Sequence, residues 1–179
     1  MSSRSFREGS LLYEDRSQFA KLGAPNVDLK KMSPTEKLKK LGLSLPALIT
    51  TAGNYVHATR SGNLLFLAGK GVGEFQGKVG RDLTLADAQV FAKATTLMLL
   101  AVIQNEIGSI DNVAQIVKIS GFVNSVPDFS DHLKVLDGCS DLLIAVFGKR
   151  GAHARTSIGV ASTPNQIPIE IEAIVEIQV

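Results

Sequence analysis

Residues Ile169-Glu-Ile-Glu-Ala-Ile-Val-Glu-Ile177 decide the fold class. Ile169, Ile171, Ala173, Val175 and Ile177 share one side at period 2, while Glu170, Glu172, Ile174 and Glu176 share the other. Successive strand side chains point to opposite faces, so this is a strand with one face committed to a core. The second face sets Ile174 among three glutamates, a mixture that suggests protein contact around a polar pocket.

Upstream, Arg155 to Ala161 reads as another strand, joined to the first through the Pro164 turn. Before it, a helix is expected from about Phe129 to Phe147, with Leu133, Leu136, Cys139, Ser140 and Leu143 inward and Gly148 and Gly151 bracketing its exit. Val113 to Asn124 reads as a strand, with Val117, Ile119, Gly121 and Val123 in step. Thr84-Leu-Ala-Asp87 caps an earlier helix that carries Ala88, Phe91, Thr95, Met98 and Val102 on one face and ends at Gly108. Tyr55–Arg60 and Asn63–Ala68 form a hairpin through Ser61-Gly62. The five glycines between residues 69 and 82 mark a loop or a further hairpin.

The resulting order is β-β-(β)-α-β-α-β-β. Two long helices, each with one apolar side, cover one face of a mixed sheet and leave the other for solvent or a second subunit. The fold class is therefore α+β, and oligomerisation is expected. Ahead of this body, Ser33-Pro34-Thr35-Glu36 carries a capping-box signal for a short helix at about 34–41, stopped by Gly42. Residues 1–44 are read as an N-terminal extension and 45–179 as the domain. Residues 1–32 lack a sustained period and read as a loosely packed arm, with a transit segment as the alternative.

Composition narrows the function. The chain has 179 residues, 45% of them apolar, and a single cysteine, Cys139. One cysteine excludes an internal disulfide framework and a four-cysteine zinc site. No stretch holds the roughly 18 consecutive apolar residues of a membrane span. Residues 1–40 carry a net charge of +4 and residues 41–179 a net −2. A mildly acidic body without tryptophan argues against a nucleic-acid channel across the fold. Gly69-Lys-Gly71-Val-Gly73 has the spacing of neither a dinucleotide fingerprint nor a Walker loop, and Gly-x-Ser-x-Gly is absent. Cys139 falls on an apolar helix face and reads as a small hydrophobe.

The chemistry-bearing stretch is Gly151-Ala-His153-Ala-Arg155-Thr-Ser157, at the mouth of an otherwise apolar strand. An arginine there needs an anionic partner, because its charge persists at all physiological pH values. Two readings stand at this level: an internal ion pair to Glu170 or Glu172 on a neighbouring strand, or a fork that binds a ligand carboxylate. In the second reading Glu170 is free to orient a water.

Several segments together resemble the YjgF/RidA family over about residues 45–179. They are Asn54-Tyr55, Arg60-x-Gly62-Asn63-Leu-Leu-Phe-Leu-Ala-Gly69, Asp111-Asn-Val, Gly121-Phe-Val-Asn124, His153-Ala-Arg155-Thr-Ser-Ile-Gly-Val-Ala161 and Ile169-Glu-Ile-Glu-Ala-Ile-Val-Glu176. Residues 128–148 look most like the family's longer branch, which has an N-terminal extension. The resemblance implies a chorismate-mutase-like fold assembled as a homotrimer, with sheets forming a central barrel, helices outside and clefts between subunits. It further implies a hydrolase that converts 2-imino or 2-enamino acids to 2-oxo acids and ammonia. Carried over by position, Arg155 would hold the carboxylate and Glu170 would handle water, while Tyr55, Gly69 and Ser157 would line the pocket. Ser157 stands where the short branch often has cysteine, and Asn54 where it usually has proline. No cofactor or metal is implied, the partners are further copies of the chain and a small carboxylate, and a cytoplasmic location is expected. Alternatives are a non-catalytic carboxylate-binding trimer and, ranked lower, an endoribonuclease or RNA-binding protein.

Overall fold

A computed structural model describes residues 31–48 and 50–178. The arm or transit segment read into the first residues lies outside them, apart from its last two. The first helix, α1 (Pro34–Lys40), begins with the capping box read from the sequence. Ser33 Oγ accepts from the Glu36 amide at 3.3 Å, and Glu36 Oε2 accepts from the Ser33 amide at 2.8 Å. This helix is docked on the body: Leu38 is buried in the common core, and the Thr35 amide donates to Asp111 Oδ1 at 2.8 Å.

The body is a five-stranded sheet built from β1 (Ala58–Ser61), β2 (Leu64–Lys70), β3 (Val113–Asn124), β4 (Ala154–Val160) and β5 (Ile169–Ile177). Its strand order is β1-β2-β5-β3-β4, antiparallel except for the β3/β4 pair. That parallel pair needs a crossover, which α3 (His132–Phe147) supplies. The other long helix, α2 (Leu85–Ile107), starts at the Thr84–Asp87 capping box and ends at Gly108, whose φ of +79° suits a residue without a Cβ.

The alternation of β5 holds along its length. Ile169, Ile171, Ala173, Val175 and Ile177 are buried against the helices, and the glutamates with Ile174 take the other face. The two long helices lie side by side on the core face. They approach so closely that a Cβ at Gly138 would collide with the backbone carbonyl of Gln89. By length and composition α2 could cross a membrane, although Gln89, Lys93, Thr95 and Thr96 interrupt its apolar run. More than half of its most apolar window is buried inside the protein.

The structure corrects several local expectations. A register shift against β5 between Ile116 and Lys118 moves Val117 out of step, leaving it exposed while Ile116 is buried. Helix α3 starts at His132 rather than near Phe129, and Leu133 is 61% exposed rather than inward. The first strand starts at Ala58 rather than Tyr55, because the Tyr55 amide bonds to the Gly53 carbonyl at 2.9 Å and bends the chain there. Residues 71–83 form a loop in which Val79 makes isolated bridges to Leu83 and Ser125, rather than a hairpin.

Candidate active site

Edge strand β4 places Arg155 and Ser157 two residues apart facing α3, and His153 on the approach to the strand continues that spacing. Arg155 Nη1 donates to Asp137 Oδ1 at 2.8 Å and to Ser140 Oγ at 2.9 Å. Both bonds of the guanidinium among the described residues leave from Nη1. Ser157 Oγ donates to the His132 carbonyl at 2.6 Å, fastening β4 to the start of α3.

These contacts overturn one of the two readings of Arg155. Its internal partner is Asp137, not Glu170 or Glu172, because β3 stands between β4 and β5 and the arginine faces the helices. Glu170 and Glu172 lie on the open face, opposite Phe122 and Ser120 of β3. Arg155 and Glu170 of one chain therefore sit on opposite faces of the sheet. Asp137 and Ser140, three residues apart on one helix face, were not singled out as partners from the sequence. His153 lay at the right spacing to be noticed.

Glu170 has its own surroundings. The β2–β5 register shifts between Leu67 and Lys70, and at this break Gly69 lies under the Glu170 carboxylate. A Cβ at residue 69 would overlap Oε1. Burial raises the Glu170 carboxyl above its ordinary range; the charge of Glu172 adds to the rise, and Lys70 opposes it. Lys70, itself buried, bends back to the Gly69 and Ala68 carbonyls at 3.2 and 3.4 Å. Burial lowers its pKa, partly offset by Glu170. Gly69 and Glu170 are thus brought together as a unit, with Lys70 as a neighbour missed from the sequence. Tyr55, half exposed, leads into β1 at the far edge from Arg155.

The open face itself holds a shallow cleft of about 160 Å³ between Phe66, Lys118, Ser120, Glu172 and Ile174. It includes neither Arg155 nor Glu170. Phe66 and Ile158 are exposed on this sheet, and Lys118 Nζ donates to Thr156 Oγ1 at 2.8 Å across it.

Residues 35–174 match the family described as "YjgF/chorismate mutase-like, putative endoribonuclease". The chain belongs to the YjgF/RidA family. Within the curated proteins it is 38% identical over 146 residues to Protein TCP17 of Trypanosoma cruzi, covering 78% of this chain and 91% of that one. Of the solved structures, Atu1372 of Agrobacterium tumefaciens, a protein of unknown function, is 38% identical with a TM-score of 0.75, covering 82% of this chain and 93% of that one. A Shewanella oneidensis protein described as a putative endoribonuclease is 27% identical with a TM-score of 0.79, covering 82% and 100%. The YjgF/RidA fold is therefore shared over nearly the whole described body. Membership accounts for the one-sided layering of helices on the mixed sheet.

Proposed function

We propose that the protein hydrolyses small 2-imino and 2-enamino acids to 2-oxo acids and ammonia, at clefts between the subunits of a homotrimer. The observation that carries this reading is the division of the site. Arg155 and Glu170 lie on opposite faces of one sheet, so the arginine of one copy can meet the glutamate only of another. The side of the sheet that carries exposed Phe66 and Ile158 and half-buried Ile174 supports association through that face.

The chemistry needs little more than these groups. With Nη1 tied to α3, the Nε and Nη2 edge of Arg155 offers a side-on, bidentate seat for a carboxylate. Glu170 takes a proton from water as its oxygen adds to the imine carbon. It passes that proton to the nitrogen, giving a carbinolamine, and then carries the adduct's hydroxyl proton to the same nitrogen, which leaves as ammonia as the C–N bond breaks and the C=O of the 2-oxo acid forms. A carboxyl held above its ordinary range is closer to the pH at which it must both accept and donate. Gly69, and Tyr55 from the approach to β1, wall the pocket.

A second reading, a carboxylate-binding trimer without turnover, is favoured by one contact. The Ser157 hydroxyl, where the short branch often has a thiol, is committed to the His132 carbonyl. The family description also carries endoribonuclease; the net −2 of residues 41–179 weighs against a phosphate-binding surface on the body.

The test is the decay of 2-imino acids generated in situ from a panel of amino acids, with wild type compared to Arg155→Ala. Acceleration by wild type alone supports the hydrolase; carboxylate binding without acceleration supports the second reading. Light scattering should return about three times the 19.1 kDa subunit mass. A monomer would refute the shared cleft.

A further inference from the structure

Four side chains from α3, β4 and the approach to β4 form one hydrogen-bonded chain that runs through Arg155 to Asp137. His153 Nδ1 lies 2.6 Å from the Gly151 carbonyl, and His153 Nε2 lies 3.1 Å from Ser140 Oγ. Ser140 Oγ accepts from Arg155 Nη1 at 2.9 Å, and the same Nη1 donates to Asp137 at 2.8 Å.

For the neutral imidazole the proton order in this chain follows by elimination. A carbonyl oxygen only accepts, so Nδ1 carries the proton toward Gly151. In the neutral ring Nε2 is then an acceptor, and the Ser140 hydroxyl must donate to it. That leaves the serine lone pairs for Arg155, whose guanidinium can only donate. Burial favours the neutral imidazole by lowering its pKa, and the Arg155 charge adds to this; the Gly151 bond opposes it. Each member therefore has one role that satisfies all its neighbours.

We propose that Ser140 and His153 are positioning residues for Arg155. With Asp137, they clamp the guanidinium through Nη1 alone and so present its Nε and Nη2 edge to a ligand carboxylate. The inference rests on the proposal that Arg155 is the carboxylate seat. It adds that the seat is preorganised from within the same chain, by a serine whose hydroxyl donates to the histidine and whose lone pairs accept from the arginine. Without Ser140 the guanidinium keeps its Asp137 partner but can pivot about that single bond, and a bidentate ligand must then restore the orientation at its own expense.

Pyruvate, a 2-oxo acid that does not turn over, serves as the probe. Its affinity is measured by calorimetry for the full-length wild type and for Ser140→Ala, Ser140→Thr, His153→Phe and Arg155→Ala. Positioning predicts that Ser140→Ala and His153→Phe weaken binding roughly five- to twentyfold, that Ser140→Thr restores it by returning the hydroxyl, and that Arg155→Ala abolishes it. In the imine assay, Ser140→Ala should raise KM by a similar factor with kcat nearly unchanged. A merely structural serine would produce neither the threonine rescue nor that split. If Arg155→Ala loses binding while Ser140→Ala and His153→Phe bind as wild type does, the positioning role is refuted and the carboxylate seat survives. If Arg155→Ala binds pyruvate as wild type does, or wild type binds none, the seat and its positioning residues fall together. Should Ser140→Ala fail to fold, the side-chain 15N spectrum of wild type decides: clamping requires a resolved, slowly rotating Nη1 group on Arg155, and an averaged signal overturns it.

Discussion

Gly69 leaves the space that the Glu170 carboxylate occupies. The register shift of β2 against β5 brings the glycine beneath this side chain, and a Cβ there would overlap Oε1. The glycine is thus part of the site by what it lacks. The group it would strike is the far end of a flexible side chain, so the carboxylate can swing aside.

Gly69→Ala should therefore cost little stability, under about 1.5 kcal/mol, while moving Glu170 off its position. In the imine-decay assay, turnover should fall by up to about 100-fold. Thermal melting and turnover measured on the same preparation separate these effects. An active Gly69→Ala protein would show that the carboxylate's placement does not matter to the reaction.

The raised Glu170 pKa has a definite sign in stability. A carboxyl that holds its proton more tightly when folded contributes stability fully present below its unfolded value of 4.5 and lost as pH rises through the folded value. Glu170→Gln removes that titration. Its stability relative to wild type, measured by urea unfolding, should increase as pH rises from 4.5 and level off above the folded pKa. A constant difference across this window would show that Glu170 is not perturbed.

Gly138 marks the closest approach of the two long helices. Its missing Cβ would meet the backbone carbonyl of Gln89, which cannot rotate away. Alanine is ordinarily the better helix former by about 1 kcal/mol, yet Gly138→Ala should destabilise by about 1–3 kcal/mol because the helices must part. Urea denaturation gives the sign directly; a stabilised variant would mean that the packing yields without cost.

Cys139 is buried on α3, and burial pushes its thiol up to about 11. Iodoacetamide at pH 8 should leave it unmodified in the native protein and label it fully in denaturant, as read by mass spectrometry. Rapid native labelling would contradict its place in the core.

The Arg155–Asp137 pair should be worth under about 1 kcal/mol, since Asp137 is nearly half exposed and water screens the pair. Asp137→Asn should accordingly shift the urea midpoint only slightly. A larger loss would show that the pair is shielded from water.

The residues alone determined which segments are strands and helices wherever a period was long and its ends were chemically marked. The alternation over Ile169–Ile177, the span Val113–Asn124 and the capping boxes at Ser33 and Thr84 are local properties of the chain, and each was legible. The family was legible through resemblance, which also put forward Arg155, Glu170, Gly69, Tyr55 and Ser157 as candidates. What tertiary structure alone decided was who faces whom. Only strand order puts β3 between Arg155 and Glu170, turning a plausible ion pair into two halves on opposite faces. Only the docking of α3 on β4 gives Arg155 its Asp137 and Ser140 partners. Only a register break against β5 slides Gly69 beneath Glu170 or turns Val117 out of the core. The sheet relationships join residues far apart in sequence, and strand pairing sets them through backbone hydrogen bonds that carry no side-chain signature; the Arg155 contacts follow from how the crossover helix packs on β4.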